Sequence, residues 1–240
     1  MFKFDDTLML FVKKDLNKGI IPMLLGEPGI GKSSWLTTLA DLMHTKCFTL
    51  ACNQLADKAD LTGARLVPVT DKNGNTVSYK QVFYPHAVIH DCIEYALANP
   101  RETPILFMDE LNRTTPDVTS EALSIPTMRA IGSVKLPDNV RVVIAGNDKG
   151  NVTSLDEASI SRFSLYHVVP DTQTFLNLDP NLNVFVRKVL TAHPECIFGK
   201  TVQVVAATAK NNGNDDDDDQ VSIDEILDDG DEMAQIATPR

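Results

Sequence analysis

Gly26-Glu27-Pro28-Gly29-Ile30-Gly31-Lys32-Ser33 is the stretch that most restricts what this chain can become. The spacing G-x-x-x-x-G-K-S asks for a turn in which glycines, lacking Cβ, take backbone angles closed to other residues. Upstream, Met23-Leu24-Leu25 reads as a short buried strand, with Pro22 at its first position, where a missing N–H is tolerated. Downstream, Trp35, Leu36, Leu39, Leu42 and Met43 recur at helical spacing, which predicts a helix over Lys32 to His44 and puts Trp35 in the core. Strand, glycine turn and helix in that order aim backbone N–H groups and the positive end of a helix dipole at one point, a ready site for an anion. The run from Gly26 to Ser34 is therefore expected to cradle the phosphates of a nucleotide. Lys32 would reach the β- and γ-phosphates, and the Ser33 hydroxyl would ligate Mg²⁺.

Around this turn, short apolar runs alternate with helical periods, the pattern of an α/β domain with a mainly parallel sheet. Further strands are expected at Cys47 to Cys52, Ile105 to Asp109, Val142 to Asn147 and Leu165 to Val169. Helices are expected at Asp6 to Lys18, stopped by Gly19, and at His86 to Asn99. Two segments break the alternation. Ala64 to Thr70 and Thr76 to Phe83 flank Asp71-Lys72-Asn73-Gly74-Asn75, which reads as a hairpin. A second, shorter hairpin is placed near 124–136, around Ile131-Gly132-Ser133. The pattern changes after Pro170, so a core domain is assigned to 1–170 and a smaller one to 171–240. In the latter, Asn183 to Leu190 and Ile223 to Ile236 look helical, separated by a polar, acidic insertion near 211–220.

Ile105-Leu106-Phe107-Met108-Asp109-Glu110 puts two carboxylates at the C-terminal end of a buried strand, the end at which open α/β sheets bind ligands. Adjacent acids there repel one another unless a cation lies close. Asp109 is the candidate for the Mg²⁺ shell, and Glu110 for polarising the attacking water. Asn147, at another strand tip, could bridge that water and the γ-phosphate. Arg162, in Ser159-Ile160-Ser161-Arg162-Phe163, offers a guanidinium fork suited to phosphoryl oxygens. Asn53 is a candidate partner for Glu110, and Arg113 either faces a neighbouring subunit's nucleotide or pairs with an acid. His86 and His90 share a helix face without a third ligand, so they make no metal site.

Taken in order, the phosphate loop, Asp109-Glu110-Leu111-Asn112-Arg113, Asn147, and Leu155 to Phe163 resemble an AAA+ ATPase over roughly Ile20 to Pro170. Within that group the chain is most similar to the MoxR-like branch, through D-E-[IL]-N-R and L-x-E-A-x-x-x-R-F. The resemblance implies a five-stranded parallel sheet flanked by helices, a small helical lid that the chain carries only in part, and assembly into a hexameric ring. It implies ATP and Mg²⁺ as ligands and Asn147 as a sensor of the γ-phosphate. Arg162 would be a finger acting on the neighbouring subunit, and Arg240 a lid-borne contact to the nucleotide. Both hairpins fall where that branch carries insertions, and Pro126 falls where the family keeps a helix running, which it would kink. Partner proteins, some with von Willebrand A-type domains, would be the clients. GTP-using restriction-type subunits and nucleic-acid motors are related alternatives, as is a nucleotide-gated binding module with little turnover.

Charge bears on those alternatives. The net charge is −11, yet eleven acids and no base lie between Asp215 and Glu232, leaving 22 acids against 22 bases elsewhere. A neutral body with an acidic segment is not a general nucleic-acid binder, since phosphate contacts need Lys and Arg. No stretch approaches the ~20 apolar residues of a membrane span, and the run Leu8 to Val12, after Asp5-Asp6, is too short for a signal peptide, which points to the cytoplasm. Cys47, Cys52, Cys92 and Cys196 lack metal-ligand spacing and read as small buried hydrophobes.

Overall fold

The structure is a computed structural model that describes residues 1–150, 152–155, 160–178, 182–194 and 196. In chain order its elements are α1 (Asp6–Asn17), β1 (Pro22–Gly26), α2 (Lys32–Leu42), β2 (Cys47–Ala51), α3 (Lys58–Thr62), β3 (Ala64–Thr70), β4 (Thr76–Phe83) and α4 (Ala87–Ala98). There follow β5 (Ile105–Asp109), α5 (Pro116–Met128), β6 (Ala130–Ile131), β7 (Val134–Lys135), β8 (Arg141–Asn147), β9 (Ser164–His167), α6 (Thr172–Leu178) and α7 (Val184–Ala192). The chain divides into two compact units, Met1–Val169 and Pro170–Arg240.

The first unit is built on a five-stranded parallel sheet ordered β2-β5-β8-β1-β9. Parallel neighbours need crossovers, and the helices supply them, so both faces of the sheet are covered. That double covering explains why β1, β5 and β8 are nearly continuous apolar runs. Successive side chains of a strand point to opposite faces. Leu24, Ile105, Phe107, Val143 and Ala145 accordingly pack with Leu8, Val12 and Leu16 of α1 and with Trp35, Leu36 and Leu39 of α2. Met23, Leu25, Leu106, Met108, Val142 and Ile144 pack with Ile89, Cys92 and Ala96 of α4 and Val118, Ala122 and Ile125 of α5. A twelve-residue helix such as α1 is marginal alone, and it persists here by burying Leu8, Val12 and Leu16 completely, each worth about 1.5–3 kcal/mol.

The five expected core strands are all present, the last as Ser164–His167, with Val168 forming a parallel bridge to Phe2. The long hairpin β3–β4 is antiparallel, and its turn closes through Asp71 Oδ1, which accepts from the amides of Asn73 (2.8 Å) and Asn75 (2.9 Å). The short hairpin begins later than 124. Residues 124–128 remain in α5, and only Ala130–Ile131 and Val134–Lys135 pair. Pro126 does not end α5, because it lies in the last turn, where one lost bond is tolerated. There the Ser124 and Thr127 hydroxyls donate to the carbonyls of Glu121 (2.7 Å) and Leu123 (3.3 Å). Arg129, left-handed at φ 51°, then stops the helix.

In the second unit α6 and α7 enclose Leu176 and Leu190, and Asn183 caps α7 by accepting from the Phe185 amide. The acidic run Asp215 to Asp219, the helix expected over Ile223 to Ile236, and Arg240 lie outside the described residues. The four cysteines are free. Cys52 and Cys92 are buried as expected, with their thiols pushed up to about 12 by desolvation, whereas Cys47 and Cys196 are only half-buried. Among the described residues no helix is long and apolar enough to cross a membrane.

Candidate functional site

The loop after β1 turns at a residue that has no room for a side chain. A Cβ on Gly26 would lie 2.4 Å from the Val168 carbonyl oxygen and 2.8 Å from Ile30 Cδ1. Ile30 is buried and pins the loop to the core, while Pro28 and Gly29 are exposed at its crest. Gly29 and Gly31 stand at φ 78° and 91°, in the left-handed region. Gly31 is also the N-cap of α2, and with no side chain there the first amides of the helix stay open to an anion.

Lys32, first residue of α2, is 6% exposed. Its ammonium donates three hydrogen bonds, to the carbonyls of Gly26 (2.9 Å) and Glu27 (2.8 Å) and to Asn147 Oδ1 (2.9 Å). Burial disfavours the charged form and pulls its pKa down to about 8, against the pull of Asp109, Asp148 and Glu110 in the other direction. The exposed Ser33 hydroxyl donates to Asp109 Oδ2, and Ser34 beside it is exposed. Asp109 ends β5. Burial holds its carboxyl above the usual range, opposed by the Ser33 hydroxyl and the Glu110 amide, which donates to Oδ1 at 2.9 Å.

Glu110 follows at φ 51°, and its Oε1 pairs with Arg113 at 2.9 Å. Within the chain the acid that Arg113 faces is Glu110 itself, three residues back, and Asn53 lies exposed on a 3-10 turn, Cys52–Gln54, with no hydrogen bond to Glu110 among the described residues. Glu27 and Lys149 form a second ion pair across the loop. His86 is the N-cap of α4, and His90 lies within 3.9 Å of Asp91 and 3.6 Å of Glu94.

Asn147, the last residue of β8, is 3% exposed and stands beside Gly26 in the parallel register. Its Oδ1 is taken by Lys32, while its Nδ2 is buried without a hydrogen-bond partner among the described residues. Its backbone is held on both sides by a residue to which sequence reasoning gave no role. The Asn147 amide donates to Asn112 Oδ1 (2.9 Å), and Asn112 Nδ2 donates to the Asn147 carbonyl (2.7 Å). The sequence offered only the presence of a polar Asn within an apolar-flanked strand-end motif as a signal. Arg162 is exposed on the turn before β9, in the same unit, and Arg240 lies outside the described residues.

Four of the predicted residues, Lys32, Ser33, Asp109 and Asn147, are thus brought together at the C-terminal ends of β1, β5 and β8 as two hydrogen-bonded pairs, Lys32 with Asn147 and Ser33 with Asp109, joined through the consecutive residues Lys32 and Ser33. The donor set fits a magnesium triphosphate. The orphaned Asn147 amide can donate to a phosphoryl oxygen or a water, the glycine cradle leaves no side chain in the way, and a hydroxyl and a carboxylate already lie together. No cluster of three or more His, Cys, Asp or Glu exists among the described residues, so a cation here would complete its shell with water and substrate phosphates, as Mg²⁺ does.

The family described as AAA domain (dynein-related subfamily) matches residues 22–163. A candidate ATPase from Cytophaga hutchinsonii is similar in structure, with a TM-score of 0.50 and 19% identity over 74% of this chain and 51% of that one. The Holliday junction branch migration motor RuvB of Thermotoga maritima aligns with a TM-score of 0.44 and 13% identity, over 79% of this chain and 50% of that one. The chain therefore spans about half the length of the solved structures it matches. No curated protein sequence matches it.

Proposed function

The chain belongs to the AAA domain family, in the dynein-related subfamily, and from that premise we propose that it hydrolyses ATP with Mg²⁺ as a ring of identical subunits, in the manner of the MoxR-like branch, and uses the cycle to remodel or activate partner proteins. The observation that carries the reading is the linkage of Lys32 to Asn147 and of Ser33 to Asp109 at the mouth of the glycine loop.

Each residue has a definite task. The amides of Gly29 to Ser34 bind the β-phosphate, and Lys32 exchanges its carbonyl partners for β- and γ-phosphoryl oxygens. Ser33 and Asp109 would hold the cation, which would supply charge neutralisation. Glu110 polarises the water for in-line attack, which requires its carboxylate to be accessible; the pair with Arg113 leaves it 27% exposed. Asn147 donates its spare amide to the γ-phosphate or the water. Arg162 from the adjacent subunit completes the charge balance as the γ-phosphoryl group transfers, and Arg240 would contribute from the lid. A partner with a von Willebrand A-type domain is the client class this branch implies. A neutral body argues against nucleic acid as the client.

Glu110→Gln tests the chemistry. It keeps the size and removes the charge that polarises water, so ATP should still bind while turnover falls about 100-fold or more. Undiminished hydrolysis in that variant would remove Glu110 from the reaction.

A further inference from the structure

Asn112 is buried to 3% exposure on the loop between β5 and α5, and its amide does what a neighbouring strand would do. It accepts from the Asn147 N–H and donates to the Asn147 C=O, so both backbone groups of β8's last residue are fixed by a single side chain 35 residues away in sequence. The approach is close. A Cβ on Gly146 would fall 3.2 Å from Asn112 Oδ1 and 3.0 Å from Leu25 Cδ2, so the position before Asn147 has little space for anything larger than glycine. The loop is itself anchored, because Leu111 N donates to the Ala145 carbonyl (3.0 Å) and Thr119 Oγ1 to the Leu111 carbonyl (3.3 Å). On its far side the Asn112 carbonyl accepts from the Thr153 amide (2.8 Å), and Thr153 Oγ1 donates to the Thr114 carbonyl (2.7 Å), so the chain leaving β8 returns to the same loop.

We infer that Asn112 is a positioning residue for phosphoryl transfer: by gripping the Asn147 backbone it aims the Asn147 amide, and through Asn147 Oδ1 it sets the place of the Lys32 ammonium. The inference rests on the ATPase reading above. A buried amide that satisfies two backbone groups is hard to replace, because any shorter side chain orphans both of them. Freed from Asn112, the tip of β8 still carries Asn147 but no longer at one height and one rotation. Misplacement of a reacting group by about 1 Å is enough to cost about 100-fold in rate while leaving ground-state contacts largely in place. Both hydrogen bonds of the Asn112 side chain go to the Asn147 backbone, so its effect passes through Asn147.

The test is a double-mutant cycle on the full chain. Asn112→Ala should lower kcat by about 10- to 100-fold and leave the Kd of a non-hydrolysable ATP analogue, read by calorimetry, unchanged. Added to Asn147→Ala, the same substitution should change kcat by less than about twofold. Equal losses in both backgrounds, or a loss confined to Kd, would overturn the role. Gly146→Ala approaches the same contact from the other side and serves if Asn112→Ala does not fold. It should reproduce the kcat loss and shift the Asn147 side-chain amide signal in the ¹⁵N spectrum, a signal identified by its disappearance in Asn147→Ala. An unmoved signal with normal kcat would also overturn the inference. A wild-type chain without hydrolysis overturns the ATPase reading itself, whereas an active wild type with additive losses overturns Asn112's role alone.

Discussion

An ammonium resists burial, and Lys32 keeps its charge at 6% exposure only by donating all three of its protons. Two of its acceptors are carbonyls of the loop that would grip a phosphate, so ligand binding replaces neutral partners with anionic ones. The sign of the pH dependence follows. In the free chain Lys32 titrates near pH 8, against 10.5 when fully hydrated. Phosphate raises that value again, so association takes up a proton above pH 8. ATP affinity should be level below about pH 8 and then decline by up to about tenfold per pH unit. The ligand-free fold responds in the opposite sense. Its unfolded chain binds the extra proton between pH 8 and 10.5, so this residue's contribution to stability rises with pH across that window. Calorimetry from pH 7 to 9.5, in buffers of different ionisation heat, reads both the affinity and the proton taken up. An affinity that holds constant to pH 9.5 would mean that Lys32 does not meet the phosphates.

Elements differ in how openly the sequence displays them, and the difference has physical causes. β1, β5 and β8 are covered on both faces, so they appear as unbroken apolar runs that nothing else in the chain imitates. The long hairpin is equally visible, because Asp71, Asn73 and Gly74 are the residues its turn demands. α5 is hidden by Pro126, whose cost is small only because it falls in the final turn. α3, five residues long, carries no periodicity, although the Asp57–Asp60 capping box and Gly63 mark its two ends. In the site, the loop and the strand-tip residues were legible because their chemistry is local. The role of Asn112 was not, and for Arg113 the sequence offered pairing with an acid without naming Glu110, since both depend on where a loop sends its side chains. Gly63 shows how much can rest on one element boundary. It stands at φ 57°, and a Cβ there would come 1.8 Å from the Tyr84 carbonyl oxygen, where the root of the hairpin bonds back through Tyr84 N to the Gly63 carbonyl (3.2 Å). Gly63→Ala should therefore cost about 2–4 kcal/mol, whereas Gly74→Ala, at φ 84° in open space, should cost about 1 kcal/mol. Urea unfolding followed by the single, fully buried Trp35 compares the two. Equal losses would show that the hairpin root yields without strain.

Across the whole molecule, charge bears on whether one chain could complete the proposed reaction alone. A triphosphate brings about four negative charges to a place where Asp109, Glu110 and Glu27 already stand. The positive groups placed there are Lys32, Arg113 and Lys149, of which Arg113 is paired with Glu110 and Lys149 with Glu27. Among the described residues one cation, Lys32, is left without a carboxylate partner to meet the phosphates, and a divalent metal would still leave the transferring group short of positive charge. Arg162 is exposed on the turn before β9. If it acts across a subunit boundary, turnover per chain should rise with protein concentration, and Arg162→Ala should lose about 1000-fold in activity at saturating assembly. Mixing gives the sharper result. Arg162→Ala chains retain Glu110, and Glu110→Gln chains retain Arg162, so a ring containing both has complete sites wherever the second type follows the first. Two nearly inactive variants should regain part of the wild-type rate when combined and regain none when assayed apart. A mixture no faster than its components would place Arg162 in its own chain's site or outside the chemistry.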